Sequence, residues 1–223
     1  MSEFQSHWGV LPLAQRAIWP QLAATVELGL VLYGGTATAL RLGHRTSLDF
    51  DFFTETKLDR TTMKKRFPFL AQSTIIQDRP DTLTVLAPAG DGTVKISFFG
   101  EINIGRVGLP DLTTDGVAEV ASLLDLLATK LKVMQQRIEA KDYLDAAAIL
   151  RAGVGLESGL AAAAALYNPD FQPSEAMKTL TYFEGGDLAS LPPGDKETLI
   201  RAVSHLRHIP AVAISSRALS ARS

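Results

Sequence analysis

The chain has 223 residues and a mass of 24.0 kDa, enough for one sizeable core or for a core with a helical extension. Hydrophobic residues make up 46% and charged residues 21%, which excludes the disordered class, and 22 basic against 24 acidic residues leave a net charge of -2 and no global basic field. Cysteine is absent, excluding disulfides, thiolate metal sites and a cysteine nucleophile; with no secretory pattern in MSEFQSHWGVLPLAQ and no apolar run of membrane-spanning length, a cytoplasmic location away from membranes is expected.

Residues 7–28 place Trp8, Leu11, Leu13, Ile18, Trp19, Leu22, Val26 and Leu28 at roughly helical spacing, interrupted by Pro12 and Pro20. Two helical pieces are predicted there, with both tryptophans as core anchors. Leu30, Val31, Leu32 and Tyr33 then form an apolar run that stops at Gly34-Gly35, as a buried strand does where the backbone must turn at once. Adjacent glycines allow positive φ and let another group approach the main chain. Thr36 is expected to cap a helix over residues 37–42, with Gly43 just past its end. Such a helix start presents backbone N–H groups and a positive dipole end, which together cradle phosphate. In Leu48-Asp49-Phe50-Asp51-Phe52 the alternation of a strand puts Asp49 and Asp51 on one face and Leu48, Phe50 and Phe52 on the other. Two carboxylates on one rigid surface repel unless a cation sits between them.

Residues 54–70 read as a helix with Leu58, Met63, Phe67 and Leu70 on its buried side and Lys64-Lys65-Arg66 on a solvated one. Three β-branched or aromatic runs follow, at residues 73–77, 81–86 and 93–99, punctuated by Arg79-Pro80-Asp81 and Gly90-Asp91-Gly92. They predict an antiparallel meander that continues the sheet begun by the first two strands. From Leu112 the chain turns helical, and residues 118–150, without Gly or Pro, form one long helix or two abutting ones. Helices are also expected at residues 161–166, 173–183 and 195–207, with a frayed end of about a dozen residues. The prediction is an α+β fold: a mixed or antiparallel sheet with flanking helices over residues 1–110, then an all-helical C-terminal region over residues 111–223.

Two constellations could carry chemistry. Gly34, Gly35 and Thr36 with Asp49 and Asp51 are either a tight turn beside two surface carboxylates or a phosphate cradle beside a metal-binding pair. In the second case backbone amides hold the β and γ phosphates while the aspartates coordinate Mg²⁺. Arg45, in the loop that also holds Ser47, either balances an aspartate or organises a phosphate. The other constellation is Lys130, Arg137, Lys141 and Asp145. On one continuous helix at about 100° per residue, the three cations fall within roughly 40° of one another and all four residues within roughly 80°. Three aligned cations are not expected to face a dry core; they are a solvated row with a Lys141–Asp145 pair, or they meet phosphates opposite the acidic strand.

LYGGTATALRLGHRTSLDFDFF resembles the glycine-glycine-threonine motif and Asp-x-Asp strand of the AbiEii/AbiGii-like nucleotidyltransferase toxins, within the DNA polymerase β nucleotidyltransferase superfamily. ATKLKVMQQRIEAKDYLDAAAIL is similar to the family's lysine, arginine and KD-x-x-D helix, which puts Lys130, Arg137, Lys141, Asp142 and Asp145 at those positions. The resemblance implies a nucleotidyltransferase fold, Mg²⁺ or Mn²⁺ held by Asp49 and Asp51, and a nucleoside triphosphate. It implies catalytic roles for Asp49, Asp51, Lys130, Arg137 and Lys141, and nucleotide contacts from Gly34, Gly35, Thr36, Arg45, Ser47 and Asp145. Members are commonly toxins of abortive-infection pairs, which implies an RNA (tRNA) or protein acceptor and an antitoxin partner. One departure stands out: where the superfamily carries a third carboxylate on a later strand, this chain has Ser97, and Glu101 four residues on is the nearest substitute. The competing readings are therefore an active NMP-transferring enzyme and a module of the same fold that binds nucleotide or a partner without turnover. A metal-dependent phosphoesterase ranks lowest, since His7, His44, His205 and His208 show no ligand spacing near the carboxylates.

Overall fold

Val31, Leu32 and Tyr33, exposed by 2% or less, form the strand from which the sheet spreads in both directions. In the computed structural model, which describes residues 3–222, the strands are β1 (Glu3–Phe4), β2 (Val31–Tyr33), β3 (Asp49–Phe53), β4 (Thr74–Arg79), β5 (Thr82–Ala89), β6 (Gly92–Phe99), β7 (Asp111–Thr113) and β8 (Glu119–Val120). The helices are α1 (Leu13–Ile18), α2 (Ala24–Glu27), α3 (Gly34–Leu42), α4 (Arg60–Arg66), α5 (Leu123–Met134), α6 (Ala140–Arg151), α7 (Leu156–Leu166), α8 (Pro173–Thr181) and α9 (Pro193–His205). The described strands make one mixed sheet of eight in the order β1-β7-β8-β2-β3-β6-β5-β4.

Two compact units divide the chain. The first takes Met1–Gly105, Leu109–Ser122 and Ser216–Ser223; the second takes Arg106–Gly108 and Leu123–Ser215. In the first unit β3 lies antiparallel to β2 and parallel to β6, while β4, β5 and β6 form the expected antiparallel meander. One face of β3 and β6 carries the aromatic core: Phe50, Phe52 and Phe98 have no measurable exposure. Phe52 stacks on Phe98 at 5.7 Å, and Phe98 on Phe67 at 5.3 Å. Each such ring contributes about 1.5–3 kcal/mol by burial. Trp19 anchors the N-terminal helices under this core, 4% exposed and 5.5 Å from the Phe50 ring, with its indole N–H on Asp115 at 2.8 Å.

Several local expectations are corrected. Glu119 and Val120, read as helical, are drawn into the sheet, because β8 completes the parallel edge of β2 at Val31 and Leu32 and pairing overrides propensity. Residues 118–150 hold two helices, separated at residues 135–139. The helix expected at residues 54–70 shrinks to α4: Asp59 caps it by accepting from the Thr61 and Thr62 amides at 2.9 and 3.3 Å, and Pro68 stops it. Leu48 precedes β3 rather than joining it and is 67% exposed. The end of the chain is not frayed, since Leu219 is fully buried and the Ala221 amide donates to the buried Glu119 at 3.1 Å.

The second unit is helical. Gly159 of α7 lies against Leu127 of α5 with no space for a Cβ, so these helices approach closely. The alanine patch behind it, Ala161, Ala162 and Ala163, is packed core. Asp125, 1% exposed near the start of α5, accepts the amides of Val107 and Gly108 at 2.9 Å each and so ties the Arg106–Gly108 stretch to this unit.

Candidate active site

The glycine pair and the acidic strand meet closely in the first unit. Gly34 opens α3 with φ +73, and a Cβ placed on it would lie 2.8 Å from Asp51 Oδ2. Only glycine meets both demands, the left-handed backbone and the close approach of the carboxylate. Gly35 leaves room for a different group: a Cβ there would overlap the Arg45 guanidinium and stand 3.1 Å from Ser47 Oγ. The turn therefore holds a carboxylate on one glycine and a guanidinium on the next. Tyr33, the residue at the N-cap of this nine-residue helix, makes no capping bond with its own side chain, and the positive dipole end of α3 lies at this cluster.

Thr36 does not cap the helix as expected; Tyr33 is the cap residue and Thr36 lies within the first turn. Its side chain is 1% exposed, bonds the Ser47 hydroxyl at 2.8 Å and donates to the Asp49 carbonyl. Thr36 and Ser47, expected to touch nucleotide, thus pin α3 to the start of β3 through buried hydroxyls. Gly43 ends the helix in the left-handed conformation, φ +66, as its position predicts. Arg41 in the last turn holds α3 onto the sheet by an ion pair to Asp111 at 2.8 Å and bonds to the Val120 and Ala121 carbonyls.

Asp49 and Asp51 share a face of β3, half-buried, while Phe50 and Phe52 point into the core. Side chains two apart on a strand stand about 6.6 Å from each other. The parallel register with β6 sets Lys95 beside Asp49 and Ser97 beside Asp51. Lys95 Nζ lies 3.5 Å from Asp49 Oδ2. Ser97, read as taking the place of a third acid, lies between Asp51 on β3 and Thr84 on β5. Glu101 does not replace it: β6 ends at Phe99, and Glu101, at φ 55, turns toward Lys57 at 3.9 Å. Lys95 was missed because its alternation with Ser97 becomes meaningful only once β6 is known to pair with β3.

Among the described residues no group of three or more His, Asp or Glu is placed to hold a metal ion. The available donors are the Asp49 and Asp51 carboxylates. Those fit Mg²⁺, which binds through one or two carboxylates and fills its remaining positions with water and substrate phosphate oxygens. The absence of a Cβ at Gly34 and Gly35 lets Asp51 and the Arg45 guanidinium close against the turn from which α3 starts.

The second unit arranges its residues differently. Lys130 Nζ sits between Asp142 Oδ1 at 2.8 Å and Asp145 Oδ2 at 2.6 Å, with side-chain exposures of 6%, 0% and 0%. Arg137 completes the cluster, its Nε 2.9 Å and Nη2 3.3 Å from the two Asp142 oxygens. Burial alone would push the Asp142 carboxyl up; the Lys130 charge and the bonds from Arg137 and Lys130 outweigh it and hold the group below the usual carboxylate range. Lys141 pairs with Glu139 at 2.7 Å, not with Asp145. The expected row of three outward cations is thus overturned. The break at residues 135–139 removes the continuous helix on which it was drawn, and Lys130 is a core cation neutralised by two aspartates. Arg137 and Lys141 remain about half exposed.

With this geometry in place, comparisons with known proteins can be weighed. A family model described as nucleotidyl transferase AbiEii toxin, type IV TA system, matches residues 22–195. An uncharacterised protein of Aquifex aeolicus is 33% identical over 171 residues, spanning 73% of this chain and 80% of its own. The nucleotidyltransferase toxin MenT4 of Mycobacterium tuberculosis superposes with a TM-score of 0.54 at 13% identity, covering 87% of this chain and 84% of its own. An antigenic nucleotidyltransferase-like protein of Paracoccidioides brasiliensis does so with a TM-score of 0.52 at 15% identity, covering 92% and 97%. At these identities the two solved structures speak for the fold alone.

Proposed function

The chain belongs to the AbiEii nucleotidyl transferase toxin family, and on that premise we infer that it transfers an NMP group from a nucleoside triphosphate to a hydroxyl of an RNA or protein acceptor. The acceptor oxygen forms a bond to the α-phosphorus, the bond from that phosphorus to the bridging oxygen breaks, pyrophosphate leaves, and the hydroxyl proton passes to solvent. Asp49 and Asp51 would hold Mg²⁺ or Mn²⁺. When bound, that ion supplies charge neutralisation and orients the α-phosphate for in-line attack. Gly34 and Gly35 present the start of α3 to the phosphates, Arg45 adds a planar donor beside Gly35, and Thr36 and Ser47 keep turn and strand in register. The observation that carries this reading is the approach of Asp51 to Gly34, so close that no Cβ fits, which sets the carboxylate face and the helix start into one cluster.

The family's toxin role extends the reading to a toxin working beside an antitoxin, in the cytoplasm where nucleoside triphosphates are held. Among the described residues no helix is long and apolar enough to cross a membrane. Radiolabelled NTP transfer and Mg²⁺-dependent NTP binding test the core of the proposal: both are lost in Asp49→Ala with Asp51→Ala, and if both survive the reading is wrong. Ser97 favours a second reading, a nucleotide-binding module without turnover, because a hydroxyl stands beside Asp51 in place of an acid. Calorimetric NTP affinity with no labelled product on any RNA or protein of a cell extract would select it.

A further inference from the structure

In-register residues of adjacent parallel strands send their side chains to the same face, about 4.8 Å apart. The two positions on β6 that flank the carboxylates of β3 therefore offer an ammonium, Lys95, and a hydroxyl, Ser97. Lys95 and Asp49 are each 43% exposed and 3.5 Å apart, so the cation rests on the carboxylate at the open side of the sheet. Ser97, 2% exposed, adds no charge. Sites that hold two divalent ions about 3.5–4 Å apart share carboxylates between the ions. Here two carboxylates share their surroundings with the Lys95 ammonium and the Arg45 guanidinium, leaving little net negative charge to offset the four positive charges of two divalent ions, and Glu101 lies past the strand end beside Lys57.

Building on the reading of Asp49 and Asp51 as metal ligands, we propose that this site takes a single divalent cation and that Lys95 is its second, protein-borne cation. Lys95 competes with the ion for Asp49 in the absence of nucleotide and supplies fixed positive charge to the triphosphate when nucleotide is present. Its place in the ladder fixes the ammonium beside Asp49, one pair along from the uncharged Ser97 beside Asp51.

The test is a titration of the full chain with Mn²⁺ alone, following the paramagnetic resonance signal of the free ion, which reports stoichiometry and affinity without turnover. The expected result is one Mn²⁺ per chain, the same stoichiometry in Lys95→Gln with about two- to fivefold tighter binding as the competing ion pair is removed, and wild-type affinity in Lys95→Arg. Circular dichroism confirms that each variant is folded. Two ions per wild-type chain, or an unchanged affinity in Lys95→Gln, overturns the proposal while leaving Asp49 and Asp51 as ligands. Undiminished binding in Asp49→Ala with Asp51→Ala, or no binding to the wild type, overturns the ligand assignment and the proposal together.

Discussion

Asp49 and Asp51 in the first unit and Asp142 and Asp145 in the second are chemically the same pair, two aspartates close in sequence beside basic residues, yet they are placed in opposite environments. The strand pair is half-buried on one face, with Asp51 pressed against a glycine turn. The helix pair is fully buried and its charge is met by Lys130 and Arg137. A carboxylate meant for a ligand keeps part of its solvation and a changeable partner; one meant for the fold gives up solvent and takes fixed cations. Exposure, rather than residue type or motif, separates the two.

The sharpest way to break this contrast is to remove each pair's charge. Asp49→Ala with Asp51→Ala is expected to lower NMP transfer by on the order of 10³-fold or more while leaving the thermal midpoint nearly unchanged, read by labelled transfer and by thermal melting. Lys130→Ala should do the reverse, stranding two buried carboxylates and costing about 3–5 kcal/mol in urea unfolding. Gly34→Ala tests the turn: left-handed backbone plus the Asp51 clash predicts a loss of about 1–2 kcal/mol and weaker NTP binding by calorimetry. Because the folded-state pKa of Asp142 is depressed, its contribution to stability is complete above the unfolded value near 3.9 and lost as pH falls through the folded value. Urea midpoints measured from pH 6 downward should fall in that acid window, and less steeply in Asp142→Asn. Smallest is Lys141→Ala, whose exposed pair with Glu139 is worth about 0.2–1 kcal/mol and fades with added salt.

The readable parts of this molecule were those governed by local spacing. The Gly34-Gly35 turn, the alternation of Asp49 with Phe50 and the meander of β4, β5 and β6 each follow from neighbours within a few residues. What escaped was set by partners far along the chain. Lys95 gains its place only from the parallel pairing of β6 with β3 across more than forty residues. Glu119 and Val120 open a stretch rich in helix formers but are captured by the edge of β2. Lys130 looked solvent-facing because its angular position was counted through residues 135–139, where the helix breaks and Asp142 and Asp145 fold back onto it. The family resemblance picks out Lys130, Arg137, Lys141, Asp142 and Asp145 in the second unit without distinguishing the buried ones from the exposed ones.

The return of Leu219 and Ala221 to the sheet has a consequence for the order in which the molecule is made. The first unit draws on residues from both sides of the helical one, and Glu119 waits for the Ala221 amide and Glu55 for that of Leu219. During synthesis the glycine turn and the acidic strand emerge well before residues 219 and 221, whose amides complete contacts to Glu55 and Glu119. A nascent chain halted before residue 216 would carry Asp49 and Asp51 on a sheet still lacking these contacts, so the first unit gains its full framework only after residues 216–222 have been translated.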